Sequence, residues 1–360
     1  MKILRRYITK ELLIYTLAVM FVWLSVYALF NYINEAERIG QENYTPLAAM
    51  IYVALDLPSI AYGHSPVIIL LGSILALGNL ASSSQLIVMQ GSGISIMKIA
   101  KVVIGAAITF IIVIIAFGEL LAPIATQRAE IYRAKALGEN TYSYNQQGFW
   151  LKDGNNIINV EKNYDGKMFG EVSLFKLNSS NEMDSAIFSS KVIFDGENLN
   201  LDETIRNQLN NKESFTDIKV EHYDKYKAKV NFDSQFIERL KRDPKDLSTL
   251  SLYRQINFLS KNKLSTGDYE VELYKRLIKP ATLIAMILLS MLFIFGSLRN
   301  ATLGKKIFLG IMLSLFFELS SRIGGVMSLS FELNHLLVTS LPTIIVLVFS
   351  LLMLYIRSIR

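Results

Sequence analysis

From Leu12 to Ile33 the chain runs for 22 residues without a charged side chain. An α-helix of about 20 apolar residues crosses the ~30 Å hydrocarbon core of a bilayer, where every backbone N–H and C=O must be satisfied within its own segment. Basic residues precede this run, as in a secretory signal. The run exceeds the ~7–15 residues of a signal's apolar region, however, and no small-residue cleavage site follows. It reads as a span, and others follow it. Val102–Leu121, interrupted only by Glu119, is as clear, and so are Pro280–Leu298 and Leu336–Ile356. Two are weaker: Pro58–Leu80 is broken by Tyr62-Gly63-His64-Ser65-Pro66, and Ile307–Met327 contains Glu318 and Arg322. The pattern predicts six transmembrane helices.

Between the third and fourth spans lies a long polar insertion, and this division explains a composition that otherwise looks nearly ordinary. The chain is 51% apolar and 19% charged, against ~45–50% and ~25% in soluble domains. Zero cysteines exclude disulfides, thiol catalysis and thiolate-bound metals. The net charge of +6 raises the question of nucleic-acid binding, which the placement of the charges answers. Lys2, Arg5, Arg6, Lys10, Lys98, Lys101, Arg299, Lys305, Lys306, Arg357 and Arg360 flank the spans on one side, against a single acid there, Glu11. The opposite loops carry Arg38 against Glu35, Glu37, Glu42 and Asp56, and His335 beside Glu332. An excess of Lys and Arg in short loops marks the cytoplasmic face, so both termini are expected in the cytoplasm and the insertion outside. Residues 122–279 hold 24 basic and 23 acidic side chains, close to neutral, which leaves no nucleic-acid surface.

The insertion, roughly 140–245, alternates apolar and polar residues in short runs, such as 156–161 and 171–177, with turn pairs at Asp153-Gly154, Asp165-Gly166 and Asp195-Gly196. Closely spaced strands without intervening helices imply an all-β sandwich or roll. Residues 247–263 have helical spacing, and 269–279 lead directly into the fourth span. The expected organisation is residues 1–139 with three spans, 140–245 as the β domain, and 246–360 as a helical connector with three spans.

Catalytic patterns are missing. There is no G-x-x-x-x-G-K-[ST] loop, no H-E-x-x-H and no G-x-S-x-G, so no catalytic or metal-ligating residue is assigned. His64, His222 and His335 lie in separate segments. Other segments have two readings each. Residues 84–93 on the cytoplasmic side form a short amphipathic stretch ended by Gly91-Ser92-Gly93. They are either a lever for a cytosolic partner or an interfacial linker. Glu318 and Arg322, one helical turn apart, either satisfy each other or line a polar cavity. Arg128, Arg133 and Lys135 outside the third span either hold anionic head groups or form a solvated helix start partnered by Glu130.

Several runs taken together resemble the LptF/LptG family, the permease subunits of the lipopolysaccharide exporter of Gram-negative envelopes. These are 86–93, Gly118-Glu119-Leu120-Leu121-Ala122-Pro123, Tyr132-Arg133-Ala134-Lys135-Ala136, 147–156 and 293–299. The run Trp150-Leu151-Lys152-Asp153-Gly154-Asn155 favours the LptG branch. The resemblance implies an inner-membrane protein whose six spans carry a periplasmic β-jelly-roll. It implies the partners LptF, LptC and two copies of the ATPase LptB, which binds the ATP and magnesium, leaving no cofactor in this chain. Ser84, Gln85, Leu86, Met89, Gln90, Gly91, Ser92 and Gly93 become the coupling helix, although Gln85 replaces a common glutamate. Lipopolysaccharide contacts fall to Arg38, Arg128, Arg133 and Lys135, with Phe317, Glu318 and Arg322 in the fifth span. Of the cations the family tends to place late in the first span, this chain keeps only Arg38. The rival readings are the paralogous LptF role and a non-transport membrane scaffold that recruits periplasmic proteins.

Overall fold

The computed structural model describes residues 2–138, 149–163, 168–178, 180, 182–196, 198–212, 215–230, 243–262, 264–295 and 301–359. The Asp165-Gly166 turn, Arg299 and the start of the insertion fall outside them. The chain divides into two compact units, one of residues 1–39, 49–129 and 267–360, the other of 40–48 and 130–266.

The first unit is helical. Helix α1 covers Lys2–Ala36, α2 Pro46–Gly63, α3 Ser65–Ser82, α4 Gln85–Gly91 and α5 Ile96–Leu120. Ser95 begins α5 by accepting the Lys98 N–H on its hydroxyl, so an otherwise orphan donor is satisfied. Helix α6, Ala122–Ala136, continues α5 past Pro123. Later come α8 Gly267–Ile294, α9 Leu303–Ser330 and α10 His335–Ile359, while α7, Thr249–Lys261, precedes them in the chain and belongs to the second unit. Seven helices are long and apolar enough to cross a membrane, where the sequence suggests six. The extra one is α2, which occupies residues read above mostly as an outer loop. Its physical basis is the Tyr62–Pro66 break. His64 N–H donates to Ile60 O at 2.9 Å and Ile68 N–H to His64 O at 3.1 Å, so the helical ladder continues on either side of Pro66, which has no N–H to give. Helices α2 and α3 thus follow one another directly across His64 as two parts of one helical run.

Helix α3 is the axis of this unit, buried along nearly its whole length and packed against α1, α8 and α9. Close approach is permitted by glycine: a Cβ at Gly72 would lie 2.6 Å from Thr16 Oγ1, and one at Gly310 2.5 Å from Leu71 Cδ2. By contrast, α1 and α9 leave wide apolar faces uncovered, with Phe21, Phe30, Phe308 and Phe316 outermost. A soluble monomer rarely exposes so much contiguous apolar surface, and membrane-spanning helices do so as a rule. The molecule is a multi-pass membrane protein.

In the second unit, β1 (Phe149–Asp153), β2 (Asn156–Asn163), β3 (Met168–Leu177), β4 (Met183–Phe194), β5 (Asn198–Lys212) and β6 (Phe215–Lys229) form one antiparallel sheet in the order β1-β2-β3-β4-β5-β6. The expected all-β insertion is thus present, built as a meander. Leu151, Ile158, Leu174 and Ile187 stand opposite one another across four strands and form the core with Phe169, Val192, Phe194 and Leu201. Phe258 of α7 packs against it.

Strict alternation does not hold in these strands. Core-facing residues run 172 and 174 but then 169 in β3, 187 and 189 then 192 in β4, and 199 and 201 then 204 in β5. The phase changes along one transverse row, Glu161, Glu171, Ser190, Glu203 and Asp224, where all four ladders omit a pair while the register on either side is unchanged. Glu171 and Glu203 have φ of +52° and +51°, the left-handed conformation that non-glycine residues rarely adopt. Ser189 compensates for the disturbed pairing, its hydroxyl lying 2.9 Å from Lys191 O and 2.6 Å from Asp202 O. The sheet is creased.

Candidate functional site

Residues 84–93 form a compact device. Ser84 enters α4 at φ +58°, and its carbonyl accepts N–H groups from both Ile87 and Val88 at 3.1 Å. At the other end the Ser92 hydroxyl donates to Val88 O at 2.8 Å, and Gly93 leaves at φ +80°, which requires glycine. Between these stops, Leu86 is buried in the helical core with Met89 half-buried beside it. Gln85 and Gln90 are half-exposed, and Ile87 and Val88 lie open, Val88 with 67% of its surface accessible. One edge of α4 is therefore anchored and the other presents two branched apolar side chains. Val88 was not among the residues picked from the sequence. Its signal is that a seven-residue amphipathic helix with two anchors has only one other edge.

The expected lipid-facing residues separate by exposure. Arg128 and Lys135 on α6 are exposed, and Arg38, in the turn closing α1, is half-buried. Arg133 is buried, 3.7 Å from Glu130 one turn earlier. In α9 the Arg322 Nε donates to Glu318 Oε1 at 2.8 Å, yet Arg322 remains 67% exposed, so the pair satisfies itself while keeping a free guanidinium edge. Phe317 differs from expectation: it packs into the helical core at 8% exposure, whereas Phe316, one helical step around, is 74% exposed. Of the two adjacent phenylalanines it is Phe316 that faces outward. Among the described residues no three His, Asp or Glu side chains converge as a metal site would need.

A second polar cluster escaped the sequence reading. Arg276 of α8, 5% exposed in its side chain, lies 3.5 Å from Glu119 of α5 and 3.2 Å from Glu272 on its own helix. The Tyr62 hydroxyl of α2 donates to the same Glu119 carboxylate at 3.1 Å, and Lys279 Nζ stands 3.7 Å from the centre of the Tyr62 ring. The Gly118-Glu119 pair acquires a reason: a Cβ at 118 would lie 2.0 Å from Tyr62 Cδ2. Next along the helical run, the His64 ring sits between α1 aromatics, 4.5 Å from Tyr27 and 6.0 Å from Trp23. The available clue was Glu272, Arg276 and Lys279 at the head of an apolar run, charges that need partners once they approach a membrane.

In the β domain the crease opens a groove of about 650 Å³ lined by Glu161, Glu171, Phe188, Glu203, His222 and Asp224. Lys162, hydrogen-bonded to Glu171, holds that carboxyl below its usual range, while hydrogen bonding to Glu171 pushes Glu161 up. The two acids titrate apart because the Glu171 carboxylate accepts from both Lys162 and Glu161, which favours the charged form of Glu171 and the protonated form of Glu161.

The model of the family described as lipopolysaccharide export system permease LptF/LptG matches residues 6–356. This chain belongs to the LptF/LptG family. It is 28% identical over 343 residues to the lipopolysaccharide export system permease protein LptG of Escherichia coli (strain K12), covering 95% of this chain and 94% of that protein. It is 26% identical over 348 residues to the LptG of Haemophilus influenzae (strain ATCC 51907 / DSM 11121 / KW20 / Rd), covering 96% of both. The family match runs from the head of α1 nearly to the end of α10, so it takes in α4, the α9 ion pair and the creased β domain alike.

Proposed function

We propose that this chain is the LptG-type permease subunit of an ATP-driven exporter that lifts lipopolysaccharide out of the inner membrane toward the periplasm. A second, LptF-type subunit forms the other wall. Two copies of a separate LptB-type ATPase work from the cytoplasm, and an LptC-type β domain receives the lipid. The observation that carries this reading is α4. It is a short helix clasped by Ser84 and Gly93, anchored by Leu86 and Met89, and open at Ile87 and Val88, in a chain of this family. A scaffold that only recruits periplasmic proteins needs no such device. The exposed apolar faces of α1 and α9 supply the cavity wall, and Arg322, Arg128 and Lys135 the cations for lipid phosphates. Acyl chains cost roughly 0.8 kcal/mol per CH₂ exposed to water, which is why extraction has to draw on ATP. The positive-inside pattern supports cytoplasmic termini and an outer β domain.

Val88→Asp should abolish co-purification of the P-loop ATPase while leaving the detergent-solubilised subunit folded, because Val88 contributes little to its own core. With that complex reconstituted in vesicles, wild type should release lipopolysaccharide to an acceptor only with ATP. If no P-loop ATPase accompanies the wild-type chain, the scaffold reading takes its place.

A further inference from the structure

Lys306, at the head of α9, is 5% exposed, and its Nζ donates to the carbonyl of Gly78 in α3 at 3.0 Å. Burying an ammonium among apolar helices is costly unless a polar partner meets it. Here the partner is a backbone carbonyl, and residue 78 has no side chain to crowd the approach. A Cβ there would lie 3.0 Å from Lys306 Cδ and 3.1 Å from its Nζ. Gly78 is one turn from the end of α3, and α4 begins three residues after that end. One and two turns further along α9, Gly310 presses against Leu71 and Ile74, and Ser314 is buried, so the same face of α9 stays on α3. The opposite side of α9 is the uncovered apolar face of Phe308, Leu315 and Phe316.

We infer that Lys306 is a positioning residue: it ties the wall helix α9 to the end of α3 that carries α4, so that a displacement of α4 is passed to the lipid-facing surface. This rests on the transport reading above. A charge is used because a directed bond into a glycine notch fixes the axial register of two helices. Membrane helices associate through close packing at small residues and through hydrogen bonds across the seam, and this contact uses both. Neither Lys306 nor Gly78 touches α4's open edge, so ATPase docking does not depend on them.

The test uses the complete complex with its ATPase in vesicles containing lipopolysaccharide, scoring lipid released per ATP hydrolysed. Lys306→Met keeps the aliphatic stem and removes the donor, and Gly78→Ala crowds the notch, pushing the Lys306 stem off its place with its charge intact. In both, ATP hydrolysis should stay within about twofold of wild type while release per ATP falls about tenfold or more, a coupling loss of ordinary size. If Lys306→Met does not assemble, Gly78→Ala decides alone. Hydrolysis and release falling in the same proportion, or neither falling, overturns the tie. A wild-type complex that hydrolyses ATP but releases no lipopolysaccharide overturns the transport reading, and the tie with it.

Discussion

Arg276 answers to two carboxylates at once, and its worth depends on how much water reaches them. The guanidinium is nearly inaccessible, while Glu119 and Glu272 each keep 23% of their side-chain surface. Removing one member of a buried ion pair costs ~3–5 kcal/mol because the other is left charged and unpaired. With both carboxylates partly wet, Arg276→Met should cost about 2–3 kcal/mol, less than that range. The double variant Arg276→Met with Glu119→Gln should recover part of the loss, since the amide can still accept from Tyr62. Thermal unfolding of the detergent-solubilised protein measures both, and a double variant no more stable than the single one would show that the pair is not the source. The same residue shows what a sequence hides. Glu119 interrupts a span by one charge, and its partner lies 157 positions later, a distance no periodicity bridges. Phe317 is a smaller instance. Two adjacent phenylalanines point about 100° apart on a helix, and only the packing of α9 against α3 decides which is buried.

Among the elements, the creased sheet departs most from its pattern. Alternation in 171–177 correctly located a strand, because apolar residues two apart must share a face. It could not show the phase change, since the residues at the crease are ordinary Glu and Ser rather than glycine, the usual sign of a positive φ. That choice stores strain: a left-handed non-glycine residue costs roughly 1–2 kcal/mol. Glu203→Gly should therefore raise the stability of the β domain by about 0.5–1 kcal/mol, part of the relief being lost to the more flexible unfolded chain. Glu203→Val should lower it, a branched side chain being worst there. A urea titration followed by Trp150 fluorescence reads both changes. If Glu203→Gly destabilises, the carboxylate is holding the crease through contacts worth more than the strain. Helix α4 was legible for the opposite reason. Its breaks are serine and glycine, residues whose backbone habits are written in their identity, so a short helix within 84–93, observed as Gln85–Gly91, is legible in the sequence.

For the molecule as a whole, the number of crossings decides on which side everything else works. Length and hydropathy allow seven helices, and an odd count would put the termini on opposite faces. The positive-inside pattern read from the sequence, eleven flanking cations against Glu11, corresponds to an even one. Hydrogen bonds from His64 N–H to Ile60 O and from Ile68 N–H to His64 O bracket Pro66, which lets α2 and α3 act as consecutive parts of one crossing. A helical run of 37 residues, 46–82, is ~55 Å long at ~1.5 Å per residue, far more than one crossing of ~30 Å requires. Its α2 arm can extend beyond the hydrocarbon while the more deeply buried α3 arm crosses. Single cysteines test this cleanly, because the chain has none of its own. Gln41→Cys precedes α2 and Ser92→Cys follows α4. With one crossing between them, a membrane-impermeant maleimide added to intact spheroplasts should label Gln41→Cys at once and Ser92→Cys only after lysis. With two crossings both positions would share a side and label together, and the inside–outside assignment of α4 and of the Lys306 tie would fail with them.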